Sequence, residues 1–221
     1  MNDSCVSYTP PSNDGFALIY RDESLLVMNK PAGLLAVPGR GADKQDSLAS
    51  RVQAEFPDAL VVHRLDMATS GLMLFARGAE MQRRLSHLFH ERGVQKHYVA
   101  VVAGRVEPAQ GEVDLPLAAD WPNRPRQKID TATGKRSLTR YRLLEHDLEA
   151  NTSRVGLEPV TGRTHQLRVH MAAIGHPILG DALYGGEASG RAVRLLLHAR
   201  ALCFAHPGSG EILSLECEPS F

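Results

Sequence analysis

The segment with the most chemical information, residues 63–75, has the sequence HRLDMATSGLMLF. Its one carboxylate, Asp66, follows the basic residue Arg64 and precedes a small polar turn and a run typical of a buried strand. An aspartate in such a turn is either a cap for backbone N–H groups or the working group of an active site. This segment alone does not favour either interpretation over the other.

A second candidate, Tyr98, lies in the valine-rich residues 96–103, which we predict to be a strand. Alternation along a strand places Lys96, Tyr98 and Ala100 on the same face. A tyrosine at the rim of that face offers a flat ring for stacking and a hydroxyl for proton transfer. The alternative, a core tyrosine with a satisfied hydroxyl, is the more common case for an isolated tyrosine.

A third candidate is Arg163, just before a predicted helix for which Thr164 is the N-cap and Gly175 the end. A cation at the positive end of a helix dipole is unfavourable unless an anion compensates it. We therefore predict an ion pair between Arg163 and Asp66. At ~4 Å and an effective dielectric constant of about 20, the attraction is roughly 4 kcal/mol before desolvation. The alternative is an ordinary surface arginine.

Metal binding is not predicted. His165 and His170 are five positions apart, not four as in histidine pairs on one helix face, and no glutamate follows His165. Cys5, Cys203 and Cys217 have no CxxC or CxxH spacing, so neither a zinc site nor a disulfide framework is indicated. We expect reduced thiols in a cytoplasmic protein.

Residues 120–142 form a basic region with seven Lys or Arg and two Asp, although the formal net charge of the whole chain is zero. Arg124, Arg126 and Lys128 follow Trp121 in a Pro-containing loop, a combination that suits phosphate contact and base stacking. A solvated charged loop is an equally good interpretation.

The elements that must position these groups indicate an α+β fold. The chain has 221 residues, 43% of them hydrophobic, which is enough for one sizeable core. Hairpins outnumber strand–helix–strand units, so we predict a mixed, mainly antiparallel central sheet. Predicted helices cover 47–56 and 79–92, the second ending at a left-handed Gly93; predicted strands cover 16–20, 24–28, 72–76, 96–103, 138–145, 153–158, 195–204 and 212–217.

Residues 1–14 are polar and contain two prolines, so we predict a flexible N-terminal tail followed by a single domain over 15–221. No secretory signal and no apolar run of membrane-spanning length is visible. We expect a soluble intracellular protein without a membrane partner.

The motifs together resemble the RluA family of pseudouridine synthases, in the order in which that family has them. The matching segments are HRLD with TSG (63–71), KxYxAxVxG (96–104), GRTHQLRVH (162–170), NKPAGL (29–34), HPILGD (176–181) and LLLHA (195–199). The short chain and the sequence WPNRP at 121–125 resemble the family member that acts on both 23S rRNA and tRNA. The tail is too short to be an S4-type RNA-binding domain.

The resemblance implies the pseudouridine synthase fold, with helices that flank the central sheet and a catalytic cleft. It also implies an isomerase that converts uridine to pseudouridine in 23S rRNA and in tRNA anticodon stem-loops, without a cofactor or metal. It implies that Asp66 is the catalytic aspartate, Tyr98 the active-site tyrosine and Arg163 the partner of Asp66. Arg64 is expected to fill the space left by a flipped uridine or to hold a phosphate, and the expected RNA-binding residues are Arg64, Arg124, Arg126 and Lys128. We expect a monomer with no obligate protein partner.

Two alternatives remain open. A non-catalytic RNA-binding protein could present the same surface, and it would tolerate Asp66→Asn. A hydrolase could use Asp66 on a nucleoside or glycoside, but no motif supplies the second carboxylate that such an enzyme normally needs. Release of free uracil would support the hydrolase.

Overall fold

The computed structural model describes residues 8–13 and 17–221. Residues 1–7 and 14–16, which include Cys5 and the predicted strand start at Phe16, lie outside the described part of the chain. The strands are β1 (Ala17–Arg21), β2 (Leu25–Lys30), β3 (Ala59–Val61), β4 (Ser70–Arg77), β5 (Gln95–Ala103), β6 (Gln110–Asp114), β7 (Leu117–Ala119), β8 (Gln127–Ile129), β9 (Leu138–Asp147), β10 (Thr152–Pro159), β11 (Leu197–Ala205) and β12 (Ile212–Glu216). The helices are α1 (Leu48–Glu55), α2 (Ala79–His90) and α3 (Gln166–Ala173).

Ten strands form one mixed sheet in the order β1-β2-β4-β11-β5-β10-β9-β6, with β3 added to β4 and β12 to β11. Every described pair in this sheet is antiparallel except β4 with β11. Strands β7 and β8 form a separate two-stranded hairpin. The α+β fold with a mainly antiparallel central sheet, predicted from the sequence, is confirmed.

The parallel contact between β4 and β11 brings two parts of the site together. Ala199 of β11 pairs with Gly71 on one side and with Tyr98 on the other. Gly71 has φ +114°, and a Cβ at this position would lie 2.3 Å from the carbonyl oxygen of Ala199. Only glycine permits this approach of the two backbones. The chain that follows the Asp66 turn is therefore held one strand away from Tyr98.

Helices cover both faces of the β2–β4 part of the sheet. Met73 and Phe75 pack in the same core cluster as Leu48 and Val52 of α1. Leu72 and Leu74, which alternate with them along β4, pack in a second cluster that contains Leu85 of α2. Because both faces are covered, β4 is a continuous apolar run, in agreement with the prediction from the sequence. A third cluster joins α3 to β5, β10 and β11.

Helix α1 begins as the sequence predicts. The side chain of Ser47 accepts a hydrogen bond from the backbone N–H of Ser50, and the hydroxyl of Ser50 accepts the backbone N–H of Ser47. This reciprocal capping box satisfies two N–H groups that the helix start would leave unpaired.

Two predicted helix boundaries differ from the structure. Helix α2 ends at His90, and Arg92, with φ 60°, takes the left-handed conformation predicted for Gly93. Gly93 has no positive φ, and a Cβ there would lie 2.5 Å from Cδ1 of Leu88, so that this side chain would have to shift. Helix α3 begins at Gln166 with a left-handed His165 as its N-cap, so the predicted N-cap at Thr164 is wrong.

Part of the predicted N-terminal tail lies against the domain. The hydroxyl of Tyr8 donates to the carbonyl of Asp46 at 3.0 Å and accepts the N–H of Leu35 at 3.0 Å. Arg51 of α1 donates to the carbonyl of Pro11 at 2.7 Å. Residues 8–13 are thus hydrogen-bonded to the elements around α1. In the described part of the chain, no helix is long and apolar enough to cross a membrane.

Candidate active site

A cleft of about 750 Å³ opens beside the β4–β11 contact. Its walls come from the chain before α1, the turn after β3, the end of α2, the start of α3 and the strands β5, β10 and β11. The residues that line it include Leu35, Val37, His63, Arg64, Asp66, Met67, Phe89, Lys96, Tyr98, Arg163, His165 and Arg168. The segments that contain Asp66, Tyr98 and Arg163 therefore meet in one place, and the basic segment at 121–128 does not line the cleft.

Asp66 does not use its carboxylate as a turn cap. The turn is closed by its backbone carbonyl, which accepts the N–H of Thr69 at 3.1 Å. The side chain is 25% exposed and lines the cleft. Of the two interpretations that the sequence left open, the structure removes the cap and leaves a carboxylate available to a ligand.

Arg168, not Arg163, is the ion-pair partner of Asp66. Its Nη1 donates to Oδ2 of Asp66 at 3.2 Å. Its Nε and Nη2 bind the two carboxylate oxygens of Asp181 at 2.8 Å and 2.7 Å, and the side chains of Arg168 and Asp181 are only 5% and 1% exposed. The bidentate pair fixes the plane of the guanidinium, so its remaining edge is directed at Asp66.

The predicted pair between Arg163 and Asp66 is wrong for a local reason. The side-chain amide oxygen of Gln166 accepts the N–H of Arg163 at 3.1 Å and the hydroxyl of Thr161 at 2.7 Å, and α3 begins only at Gln166. Arg163 then lies outside the helix, where its Nε donates to the carbonyl of Arg136 at 3.4 Å. It still lines the cleft, at the exposed rim.

Tyr98 lies where the two core clusters on either side of β11 meet, and its side chain also lines the cleft. Burial raises the pKa of the Tyr98 hydroxyl far above its usual value, and the negative charge of Asp66 raises it further. The phenol is therefore neutral at neutral pH, which suits stacking and hydrogen-bond donation rather than proton abstraction as a phenolate.

Nothing in the sequence indicated the role of Lys30, which is fully buried beneath the Asp66 turn. Its Nζ donates to the carbonyls of Pro31, Leu34 and Met67 at 2.8, 2.7 and 3.0 Å. Burial lowers the pKa of Lys30 to about 7, and the charge of Asp66 opposes this shift. The lysine joins the chain before α1 to the turn that carries Asp66.

His63 holds the start of the same turn. Its Nε2 accepts the N–H of Leu74 at 2.9 Å, and its ring stacks on Phe89 with a centroid distance of 4.6 Å. Burial, followed by the positive charge of Lys96, lowers the pKa of His63 to about 3. His63 is therefore a neutral residue that attaches the turn to β4 and α2.

The basic region covers the loop between β7 and β8, strand β8 and the first half of β9. Trp121 is 68% exposed, and the guanidinium of Arg124 lies 3.2 Å from the centroid of its ring. Arg126 is exposed and has no acidic partner among the described residues, and Arg64 is exposed at the cleft.

Part of the local basic excess is neutralised within the fold. Acidic side chains lie within 4.0 Å of three of the seven basic groups: Lys128 with Asp130, Arg136 with Asp114, and Arg140 with Glu112. The other four have no such partner in the described ranges, so a smaller positive surface remains.

A model of the RNA pseudouridylate synthase family matches residues 24–173. The chain therefore belongs to this family of isomerases, and the family resemblance predicted from the motifs is confirmed.

Individual relatives are similar to this chain over nearly its whole length. The dual-specificity RNA pseudouridine synthase RluA of Escherichia coli strain K12 is 49% identical over 216 residues, which are 97% of this chain and 98% of that protein. The protein of the same description from Pasteurella multocida strain Pm70 is 49% identical over 217 residues, 98% of this chain and 99% of its own length.

Solved structures agree with this assignment. Human RNA pseudouridylate synthase domain containing 1 superposes with a TM-score of 0.81 at 30% identity, covering 96% of this chain and 87% of that chain. Human RNA pseudouridylate synthase domain containing 4 has a TM-score of 0.75 at 26% identity, with 93% and 89% covered. The predicted pseudouridine synthase fold is confirmed.

Proposed function

We propose that this protein converts uridines in structured RNA to pseudouridine with Asp66 as the catalytic group. The observation that carries the proposal is the carboxylate of Asp66, which Arg168 holds at 3.2 Å and which faces a cleft shared with Tyr98. A cleft of about 750 Å³ lies in the range of small-molecule sites and can take one flipped nucleotide.

The chemistry needs no atom from outside the RNA and the protein. The bond between N1 of uracil and C1′ of ribose breaks, the base turns, and a bond forms between C5 and C1′. The proton on C5 leaves and N1 gains one, so substrate and product are isomers. The Arg168 contact holds the Asp66 carboxylate in one orientation in the cleft, which suits either a nucleophile or a base. The neutral Tyr98 stacks on the base and offers a hydrogen-bond donor.

The rim of the cleft supplies the expected RNA contacts. Arg64 is placed to fill the space that a flipped base leaves. The hairpin residues Arg124, Arg126 and Lys128 contact the backbone outside the cleft. We assign Arg163 to this group as well, because it is exposed at the rim and does not contact Asp66.

We further propose that 23S rRNA and tRNA anticodon stem-loops are both substrates, since the relatives that are 49% identical over nearly the whole chain are described as having dual specificity. We propose that residues 15–221 form a single catalytic domain, and that the protein acts as a cytoplasmic monomer without a metal or cofactor.

The test uses purified protein and two transcripts, a 23S rRNA stem-loop and a tRNA, labelled with tritium at C5 of uridine. Tritium release from both, with pseudouridine and no free uracil in the digested RNA, is the expected result. Asp66→Asn should abolish release and still bind RNA. Free uracil as the product would instead identify a hydrolase, and binding without release by the wild type would identify a non-catalytic RNA-binding protein.

A further inference from the structure

Tyr184 lies between the β7–β8 hairpin and the residues around Asp66. Its hydroxyl accepts the backbone N–H of Gln127, in β8, at 2.7 Å. The same oxygen lies 2.7 Å from Nδ1 of His165, the N-cap of α3. One phenol thus contacts both the hairpin and the wall of the cleft.

The ring of Tyr184 is held by the ion pair that orients Arg168. Its backbone N–H donates to Oδ1 of Asp181 at 3.1 Å, and the guanidinium of Arg168 lies 5.1 Å from the ring centroid. Asp181 therefore fixes Arg168 and Tyr184 at the same time. Asp181 and Arg168 hold the backbone and the ring of Tyr184. A change in the position of the hairpin would therefore change the hydrogen bond at the Tyr184 hydroxyl.

These contacts determine which nitrogen of His165 carries the proton. The hydroxyl oxygen of Tyr184 already accepts from Gln127, and among the described residues Nδ1 of His165 is the one acceptor within hydrogen-bond distance of its O–H. We assign the O–H as the donor to Nδ1, which puts the hydrogen of the neutral imidazole on Nε2, the nitrogen that faces Asp66. Burial of the ring lowers the pKa of His165, which agrees with the neutral form.

Nε2 of His165 lies 3.8 Å from Oδ2 of Asp66, the same oxygen that Arg168 contacts. Within the described residues, Oδ1 of Asp66 receives no hydrogen bond. A shift of roughly 1 Å would bring Nε2–H into a hydrogen bond of ordinary length. His165 is also one of the few non-glycine residues with positive φ, at 55°, and strain of this kind is concentrated at functional sites.

We propose that Tyr184 is a positioning residue that connects the RNA-binding hairpin to Asp66. The hydroxyl of Tyr184 fixes the Nε2–H tautomer of His165. His165 and Arg168 then hold Oδ2 of Asp66 and leave Oδ1 to the substrate. The inference rests on the proposed function, because it assigns a task in uridine isomerisation. Contact of RNA with the hairpin then affects the rate of the chemical step as well as the affinity.

The first measurement needs no RNA. Nitrogen-15 NMR of the imidazoles, with the His165 signal identified from its loss in His165→Asn, should show the Nε2–H tautomer in the wild type. Tyr184→Phe, which keeps the ring but lacks the hydroxyl, should give a mixture of tautomers. Tyr20→Phe removes a hydroxyl that binds Asp22 far from the cleft, and it should leave the His165 signal unchanged.

The second measurement separates binding from the chemical step by single-turnover tritium release at saturating RNA. Tyr184→Phe should slow this step about 10-fold or more, the effect of a lost hydrogen bond to a charged site, with little change in the Kd for RNA. His165→Asn suits the left-handed backbone and places its amide near the position of Nδ1, yet it should be slow because it lacks the Nε2 donor. His165→Gln, with a donor near the position of Nε2, should recover part of the rate.

The third measurement tests the connection to the hairpin. Trp121→Ala should slow the saturated single-turnover step in the wild-type background and have a much smaller effect in Tyr184→Phe. Equal effects in both backgrounds would overturn the connection, as would an unchanged His165 tautomer and rate in Tyr184→Phe. If Tyr184→Phe does not fold, a faster His165→Asn than His165→Gln overturns the proposal by itself. A wild type that makes no pseudouridine refutes the proposed function instead, whatever the tautomer.

Discussion

The guanidinium of Arg168 contacts Oδ2 of Asp66 at 3.2 Å, although the two residues are 102 positions apart in the chain. The contact is one edge of a guanidinium whose other edge is fixed by the buried carboxylate of Asp181. Asp66 is consequently oriented by a group that itself cannot turn. The carboxylate that we propose to be catalytic is thus preorganised before RNA binds.

We expect Arg168→Met to reduce stability and activity, and Arg163→Met to reduce only the affinity for RNA. Arg168→Met leaves the charge of Asp181 buried without a partner, so the free energy of unfolding should fall by about 3–5 kcal/mol and activity should be lost. Arg163→Met should change stability by less than about 0.5 kcal/mol, because the side chain is exposed, and should weaken RNA binding. Urea denaturation and RNA titration measure the two effects. Equal destabilisation by the two variants would contradict the assignment of Arg168.

The neutral His63 should make the protein sensitive to acid. Its pKa is about 3 in the folded protein and about 6.5 when unfolded, so the unfolded chain binds the extra proton first. The contribution of the neutral His63 to the free energy of unfolding is complete above pH 6.5 and is lost as the pH falls toward 3. About 2 kcal/mol of it is lost by pH 5. In His63→Gln, whose amide oxygen can accept the N–H of Leu74, the free energy of unfolding should fall less between pH 7 and pH 5. Parallel curves for both proteins would refute this.

Gly71→Ala should be severely destabilising. The new Cβ would lie 2.3 Å from a backbone oxygen and would also have to adopt φ +114°. We expect a loss of more than about 3 kcal/mol in the free energy of unfolding. Gly33→Ala is the matched control, because Gly33 has φ +86° but no atom within 4 Å of the place that the new methyl group would take, and it should cost only about 1–2 kcal/mol. Similar thermal shifts for the two would show that strain, not the approach of β11, explains Gly71.

The unpaired Arg126 should contribute to the salt dependence of RNA binding. Arg126→Ala should reduce the slope of log affinity against log salt concentration by about 0.7–0.9, as expected for one lost phosphate contact. Arg83→Ala is the control, since Arg83 is equally exposed but is paired with Glu80 on α2. An unchanged slope for Arg126→Ala would remove this residue from the RNA-binding surface.

Local patterns predicted the elements, because their causes are local. The spacing of Leu48, Val52 and Phe56 after Ser47 was enough to predict α1, and the apolar run after Gly71 was enough to predict β4. The choice between Arg163 and Arg168 was not local. It depends on where α3 begins, which the hydrogen bonds of Gln166 to Thr161 and Arg163 determine.

The burial of Lys30 was unpredictable for a related reason. A lysine before Pro31 and Gly33 is typical of an exposed turn, and nothing in its neighbours indicates that three carbonyls converge on its ammonium group.

One useful signal was present for Arg168. It stands in a helix whose neighbours Leu167 and Met171 are apolar, a pattern that predicts a buried arginine in need of an anion.

The three hydrogen bonds of Lys30 also affect how the cleft can move. They join the chain before α1 to the turn at Met67, so these two walls cannot separate without breaking a buried contact. Among the described residues, the β7–β8 hairpin pairs with no strand of the main sheet, and the hydrogen bond from Gln127 to the Tyr184 hydroxyl links it to the cleft wall. We therefore expect the wall of the cleft that carries Asp66 to stay in place, and the hairpin to move, when RNA binds and dissociates.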